Sequence, residues 1–376
     1  MRKSSFVLAL LLLLSCCVPA FAQESEEAEA VYMLVDENGT TITQIHGHCE
    51  AGDEYISGDN QHFRVVSVDR ESGIAQVDNL GQAAMPDISW MDASESLPVS
   101  AVGKRKIALY CTHSDESYIK GDGKESDEER GGIYDIAKMF GGKLENLGAT
   151  VELNTETHHP HDAGAYRRSR QTAMALLKTA PNAIFDLHRD GIPDPDEYAV
   201  TIGDKPMSKV RLLVGKSNQN KEANLAFAKQ IKAVGDKVYP GLIKDIYMGK
   251  GTYNQDLAPR CVLLEFGTHT LSKERVEAST GPMAEVVYKA LFGGVVGSAG
   301  ASDASPQKTE PVEEEKPAAE SNEGAGAAIW IILALVVGLG VFAFLSAGKG
   351  GGMDKWKHSI SEMTGGLIGK RPKGRK

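Results

Sequence analysis

The sequence predicts an α/β fold, with a mostly parallel sheet and flanking helices, preceded by a small all-β module. Between residues 104 and 294, short apolar runs alternate with stretches of helical spacing, which is typical of a layered α/β domain. Between residues 31 and 98, β-rich runs are separated by turn signals such as Glu37-Asn38-Gly39, which indicate strands alone. Three of the apolar runs in the α/β region end in histidine or glutamate, and such sheets carry their functional groups at the carboxyl ends of strands.

Each predicted element follows from a local pattern. Strands are expected in the all-β module wherever β-rich residues lie between turns, at residues 31–35, 40–45, 63–68 and 74–77. Helices are expected in the α/β region wherever apolar residues recur every three or four positions. The elements expected there, in chain order, are strand 106–110, helix 132–147, strand 150–153, helix 165–179, strand 183–187, a hairpin pair at 199–202 and 210–214, helix 223–238, strand 262–266 and helix 282–291.

The composition excludes two classes of protein. The chain of 376 residues has 41 Lys and Arg against 51 Asp and Glu, a formal net charge of -10, which argues against a nucleic-acid partner. Five cysteines in a chain of this length argue against a disulfide-stapled scaffold. The hydrophobic share of 41% is enough for a sizeable core.

The N-terminal segment predicts export. Residues 1–22 are expected to be a signal peptide, because Arg2 and Lys3 precede an apolar stretch and Ala20-Phe21-Ala22 is a typical cleavage site. Lipoprotein processing at Cys16, which follows two leucines and a serine, is an alternative at this end.

The C-terminal segment predicts membrane anchoring. Residues 298–326 are rich in Ser, Ala, Gly, Pro and Glu and are expected to form a disordered acidic linker. Residues 327–347 hold no charge and are long enough for a transmembrane helix. Residues 348–376 carry eight basic and two acidic residues, as expected of a cytoplasmic tail. The chain is therefore expected to be a single-pass protein of the cell membrane, with its ectodomain outside.

Residues able to bind zinc follow three predicted strands of the α/β region. Cys111-Thr-His113-Ser-Asp115-Glu116 follows the first strand, Asp186-Leu-His188-Arg-Asp190 ends a central strand, and Glu265 ends the last strand. Two histidines and one carboxylate form a catalytic zinc site, which leaves a fourth position for water. A second carboxylate beside that water serves as general base. The pattern predicts a hydrolase that depends on Zn²⁺.

Four motifs of the α/β region resemble a known family. They read Cys111-Thr-His113-Ser-Asp-Glu116-Ser-Tyr118, Asp186-Leu-His188-Arg-Asp190, Tyr253-Asn-Gln-Asp256 and Leu264-Glu265-Phe-Gly267. Together they resemble the signature of the stage II sporulation protein P family over roughly residues 104–292, outside the all-β module. The resemblance implies a zinc-dependent cell-wall hydrolase, related in fold to the N-acetylmuramoyl-L-alanine amidases.

The resemblance also implies roles for single residues. His113, Glu116 and His188 match the positions that would bind zinc, and Glu265 matches the general base. Arg189 and Asp190 match positions that support the ligands or contact the substrate.

Two positions depart from the family's pattern or compete with it. Cys111 stands where the family usually has its first histidine, and it would either bind the metal as a thiolate or support the ligands. Glu129 precedes the first predicted helix, where related amidases carry their zinc-binding glutamate. It is therefore an alternative to Glu116.

The expected function is that of an N-acetylmuramoyl-L-alanine amidase acting on peptidoglycan, with endopeptidase action on peptide cross-links also implied. The family name implies sporulation engulfment. The family usually carries its anchor at the N-terminus, so a role in growth or division stays open. Two alternatives are a zinc peptidase of another specificity and a degenerate wall-binding scaffold that recruits partner cell-wall hydrolases.

Overall fold

The computed structural model describes residues 30–92, 105–162 and 164–293. The predicted signal peptide, acidic linker, transmembrane helix and cytoplasmic tail lie outside the described residues. Within the described ranges, every helix is too short or too polar to cross a bilayer.

Thirteen strands and four longer helices make up this part of the chain. The strands are β1 Val31–Val35, β2 Thr41–His46, β3 Glu54–Ile56, β4 Gln61–Asp69, β5 Ile74–Gln82, β6 Lys106–Tyr110, β7 Thr150–Leu153, β8 Ala183–Asp190, β9 Ala199–Ile202, β10 Lys205–Ser208, β11 Val210–Gly215, β12 Ile243–Gly249 and β13 Cys261–Thr268. The helices are α1 Ile133–Asn146, α2 Ala165–Leu177, α3 Lys221–Val238 and α4 Lys273–Phe292. Short helical turns cover Ser89–Asp92, Ile119–Asp122, Pro195–Glu197 and Gln255–Leu257.

The α/β fold is confirmed, but its main sheet is mixed rather than mostly parallel. Eleven strands run in the order β2-β1-β5-β4-β3-β12-β11-β13-β8-β6-β7. Strands β7, β6, β8 and β13 are parallel neighbours, whereas β11 is antiparallel to β13. The reason is that no helix lies between β8 and β11. Strand β11 therefore enters the sheet at the edge where β8 ends and runs in the direction opposite to β8 and β13.

The expected hairpin of 199–202 with 210–214 is wrong. Strand β9 pairs instead with β10, which the sequence analysis did not predict, and the two form a separate two-stranded sheet. Strand β11 is fully buried and lies between β12 and β13 in the main sheet. A strand that is buried on both faces has a mostly apolar sequence. The apolar residues at 210–214 are therefore compatible with a buried central strand and equally with a hairpin strand, and the sequence alone does not distinguish the two.

The N-terminal strands are not a separate all-β module. Strand β3 pairs antiparallel with β12, so β1 to β5 extend the main sheet of the α/β region. Strands β4 and β5 are nine residues each, and irregular register along their pairing bends them. The inner side chains of this extension pack on Leu213, Tyr247 and Leu263 of the central strands.

Two layers cover the sheet. Helices α1, α3 and α4 contribute to the larger core, where they pack with residues of β6, β8 and β13 such as Leu109, Phe185 and Phe266. On the opposite face, α2 packs on Ala108, Tyr110 and Ile184. The N-terminal strands cover the rest of that second face.

Truncation of the helix-side core is expected to destabilise the protein strongly. Phe140 of α1 is fully buried, and its ring centroid lies 6.4 Å from that of Phe185 and 5.4 Å from that of Phe266. Phe140→Ala should lower the free energy of unfolding by about 3–5 kcal/mol. The neighbouring Met139→Ala, at a 36% exposed position, should cost no more than about 0.5 kcal/mol. Urea unfolding of both variants measures the difference, and equal losses would contradict this packing.

Candidate active site

The residues predicted to bind metal converge at one edge of the sheet. His113 and Glu116 follow the carboxyl end of β6, His188 lies near the end of β8, and Glu265 lies on β13. His188 and Glu265 are direct partners in the parallel register of β8 with β13. Because residues in register point to the same face of a sheet, their side chains lie side by side.

His113 presents an imidazole nitrogen that has no hydrogen-bond partner. Its Nδ1 is buried and unsatisfied. The ring stacks on His161 at a centroid distance of 3.9 Å and meets the His188 ring edge-on at 5.1 Å. Burial, followed by the neighbouring His161 and His188, holds the pKa of His113 well below its usual value. The neutral imidazole is the form that binds a metal.

Glu116 and His188 are in direct contact. Nδ1 of His188 lies 3.4 Å from Oε1 of Glu116, and both side chains are 4% exposed. The other carboxylate oxygen of Glu116 accepts the backbone N–H of Arg189 at 2.9 Å. This bond fixes the carboxylate beside the histidine.

Asp186 lies on the other side of the His188 ring. Nε2 of His188 is 3.0 Å from Oδ1 of Asp186, within ion-pair distance. The backbone N–H and the hydroxyl of Thr112 both donate to the Asp186 carboxylate. Burial lowers the pKa of His188, but Asp186 and Glu116 outweigh it and raise that pKa well above its usual value. The site therefore favours positive charge at this imidazole.

Glu265 is the most perturbed carboxyl group of the site. Burial and the neighbouring Asp190 raise its pKa to about 8, against the opposing effects of Arg211, Tyr198 and His188. The Tyr198 hydroxyl lies 3.0 Å from Oε2 of Glu265, and the side chain of Glu265 is 14% exposed. A partly accessible carboxylate with a raised pKa suits a general base near neutral pH.

Arg189 and Asp190 support their neighbours. The Arg189 guanidinium donates to the backbone carbonyls of Ser117 and Glu125, so it fastens the segment that carries Glu116. Asp190 forms a buried ion pair with Arg211 at 2.8 Å.

Cys111 lies away from the side chains that are predicted to bind metal. It is fully buried in the helix-side core, and burial raises the pKa of its thiol well above the usual value. Along β6 and beyond, residues 107, 109 and 111 face that core, whereas 108 and 110 pack against α2. Because successive side chains of a strand point to opposite faces of the sheet, Cys111 lies on the face opposite to that of Asp186 and His188.

Glu129 is exposed and contacts none of the site residues described above, whereas Glu116 is buried against His188. Glu116→Gln should therefore lower zinc affinity at least tenfold, since it removes the charge that faces the metal-binding imidazole. Glu129→Gln should leave it within twofold and is the matched control. Zinc titration by calorimetry distinguishes the two, and the reverse ranking would assign the ligand to Glu129.

Sequence reasoning assigned no role to three other residues of the site. Tyr166, on the first turn of α2, stacks on His188 at 6.3 Å and meets His113 edge-on at 5.5 Å. Tyr198, in the loop before β9, and Arg211, on β11, both contact Glu265. No local motif marks these residues, because they reach the site only through the pairing of distant strands.

The donor chemistry fits zinc. In the described part of the chain, no three His, Cys, Asp or Glu side chains are already grouped as a metal site. However, the buried Nδ1 of His113 has no hydrogen-bond partner, and Nδ1 of the neighbouring His188 faces the Glu116 carboxylate at 3.4 Å. Buried polar atoms are rarely left unpaired, and a cation bound by these two rings and Glu116 would satisfy Nδ1 of His113.

Solved structures similar to this chain include bacterial amidases. The N-acetylmuramoyl-L-alanine amidase AmiC2 of Nostoc punctiforme matches 51% of this chain and 97% of its own, with a TM-score of 0.34 and 14% identity. The CwlD amidase of Clostridioides difficile, solved in complex with the GerS lipoprotein, matches 50% of this chain and 96% of its own, with a TM-score of 0.31 and 19% identity.

A curated relative and a family model match more of the sequence. Stage II sporulation protein P of Bacillus subtilis (strain 168) is 29% identical over an alignment of 243 residues, and the match covers 59% of this chain and 59% of the relative. This chain thus matches about three fifths of that relative's length. The model of the family "Stage II sporulation protein P" matches residues 19–288, which include β1 to β5 as well as the α/β region. The chain belongs to the stage II sporulation protein P family.

Proposed function

We propose that this protein is a peptidoglycan hydrolase that cleaves the amide between N-acetylmuramic acid and L-alanine. The observation that carries the proposal is the convergence of His113, Glu116, His188 and Glu265 at one edge of the sheet. Membership of the stage II sporulation protein P family supports the choice of the cell wall as substrate.

In this proposal His113, Glu116 and His188 hold a zinc ion. Zinc at such a site supplies Lewis-acid polarisation of a carbonyl group and acidifies water to a pKa of about 7. The buried environment strengthens these electrostatic effects, because little bulk water screens them.

Glu265 moves the proton. Its carboxylate accepts a proton from the attacking water and delivers it to the nitrogen of the departing L-alanine. The amide C–N bond breaks, the carbonyl carbon of the lactyl group gains the water oxygen, and the stem peptide leaves with a free amine. Burial raises the pKa of Glu265 toward neutral pH, where one carboxyl group can take up a proton and release it again.

Endopeptidase action on cross-links is the alternative within the same chemistry, since the same residues would hydrolyse another amide. The degenerate-scaffold alternative was favoured only by Cys111. Because the thiol lies in the helix-side core, its presence does not remove a ligand from the site.

We also propose that the chain is anchored in the cell membrane by residues 327–347, with the ectodomain facing the cell wall. The absence of charge in that segment and the basic residues after it support this orientation. Membrane fractionation with protease protection of the C-terminal tail tests it, and a tail digested in intact cells would overturn it.

Product analysis tests the proposed reaction. Purified protein is incubated with peptidoglycan with and without a chelator, and the released fragments are identified by mass spectrometry. Amidase activity predicts free stem peptides that begin with L-alanine, lost with chelator and restored by zinc. Fragments cut within the stem would assign an endopeptidase instead. No release from zinc-loaded protein would contradict the hydrolase.

A further inference from the structure

Arg211 is a fully buried cation that joins three parts of the structure. The residue is 2% exposed and lies on β11, directly opposite Glu265 of β13. Its guanidinium forms ion pairs with Asp190 and Asp245, each at 2.8 Å. These two carboxylates balance its charge in the interior.

The same guanidinium is bonded to an N-terminal strand. Its Nη2 donates to the backbone carbonyl of Gln44 on β2 at 3.0 Å and lies 3.4 Å from Oγ1 of Thr43. The Thr43 hydroxyl oxygen also accepts from the buried ammonium of Lys244 at 2.7 Å. Strand β2 therefore closes over the charged groups that surround Glu265.

Tyr198 connects Asp190, the ion-pair partner of Arg211, to Glu265. Its hydroxyl lies 2.6 Å from Oδ2 of Asp190 and 3.0 Å from Oε2 of Glu265. The phenolic hydroxyl is therefore within hydrogen-bond distance of both carboxyl groups. The Arg211 guanidinium lies 5.9 Å from the centre of the Tyr198 ring and holds Asp190 in place beneath it.

We infer that the N-terminal strands take part in catalysis, because Thr43 and Gln44 of β2 position Glu265 through Arg211, Asp190 and Tyr198. The inference rests on the proposed function of Glu265 as base. Arg211, Tyr198 and Thr43 are positioning residues, since each of them is argued to act through Glu265.

Two general arguments and one observation favour positioning over simple stabilisation. A buried ion pair contributes little net stability, because the desolvation of its charges offsets their attraction. Reaction rates, by contrast, depend steeply on the placement of a base, and a shift of about 1 Å costs about 10²-fold. The family match also begins before β1, so these strands belong to the same family unit as the catalytic region.

The test compares four variants of the full-length chain. Thr43→Val removes the hydroxyl and keeps the shape, and Thr43→Ser restores the hydroxyl. Thr41→Val is the control on an exposed position of the same strand. Tyr198→Phe keeps the buried ring and removes the hydroxyl that meets Glu265. Activity, zinc content and thermal midpoint are measured on each sample.

We expect Tyr198→Phe and Thr43→Val to lower kcat about 10- to 100-fold, with KM and zinc content within twofold of the wild type. Thr43→Ser and Thr41→Val should retain wild-type kcat. Wild-type kcat in Thr43→Val, or in Tyr198→Phe, would overturn the inference. Equal losses in Thr41→Val, or losses that follow zinc content and thermal midpoint, would also overturn it.

A structural readout separates this inference from the proposed reaction. Crystal structures of Thr43→Val and Thr41→Val should show the Glu265 carboxylate displaced in the first variant alone. An unmoved Glu265 in Thr43→Val overturns the inference, whatever the activity of the wild type. A displaced Glu265 in a protein that releases no product supports the positioning and contradicts only the proposed reaction.

Discussion

Replacement of Glu265 by glutamine is expected to abolish amide cleavage while leaving the fold and zinc binding intact. Glutamine has nearly the same shape but cannot accept the proton of the attacking water. A positioned general base contributes about 10²–10⁴-fold, so kcat should fall by that factor. Release of stem peptides by Glu265→Gln and wild-type protein, at equal zinc content, measures the effect.

The matched control is Glu274→Gln, which changes an exposed glutamate in the first turn of α4. It should retain wild-type kcat. If the activity of Glu265→Gln is within tenfold of the wild type, Glu265 is not the general base, and another carboxylate of the site must serve as base.

Loss of His188 is expected to remove zinc binding and activity together. The side chain is 4% exposed and separates the carboxylates of Glu116 and Asp186, which His188→Ala would leave facing each other. Zinc affinity should fall at least 10²-fold, because one of three proposed ligands is gone and the metal site is incomplete. Metal analysis after dialysis, alongside the activity assay, measures both effects.

His62→Ala is the control for this variant, because His62 lies on β4 and pairs with Glu54 away from the site. It should bind zinc as the wild type does. Full zinc occupancy and activity in His188→Ala would exclude His188 as a ligand.

The strand ends were the part of the site that the sequence predicted best. An apolar run that stops at His188 or Glu265 identifies a buried strand and its functional end at the same time. Register then brings these two residues side by side. The position of Glu116 against His188 followed from no periodic pattern, and only the family resemblance indicated it.

Strand pairing between distant segments was the part that the sequence could not predict. The pairing of β3 with β12 joins residues that are nearly 200 positions apart, and no local signal specifies it. The same pairing brings Thr43 to Arg211, so the positioning residues were missed together with the extended sheet. Arg211 itself stands within an apolar run, where one charged residue gives no indication of a buried partner.

Anomalous X-ray scattering at the zinc absorption edge locates the metal relative to its proposed ligands. We expect one peak in zinc-loaded protein, at about 2.0–2.2 Å from a ring nitrogen of His113, a ring nitrogen of His188 and a carboxylate oxygen of Glu116. Glu265 should lie beside the peak without binding it. A peak on other residues, or no peak in protein that cleaves peptidoglycan, would contradict this metal site.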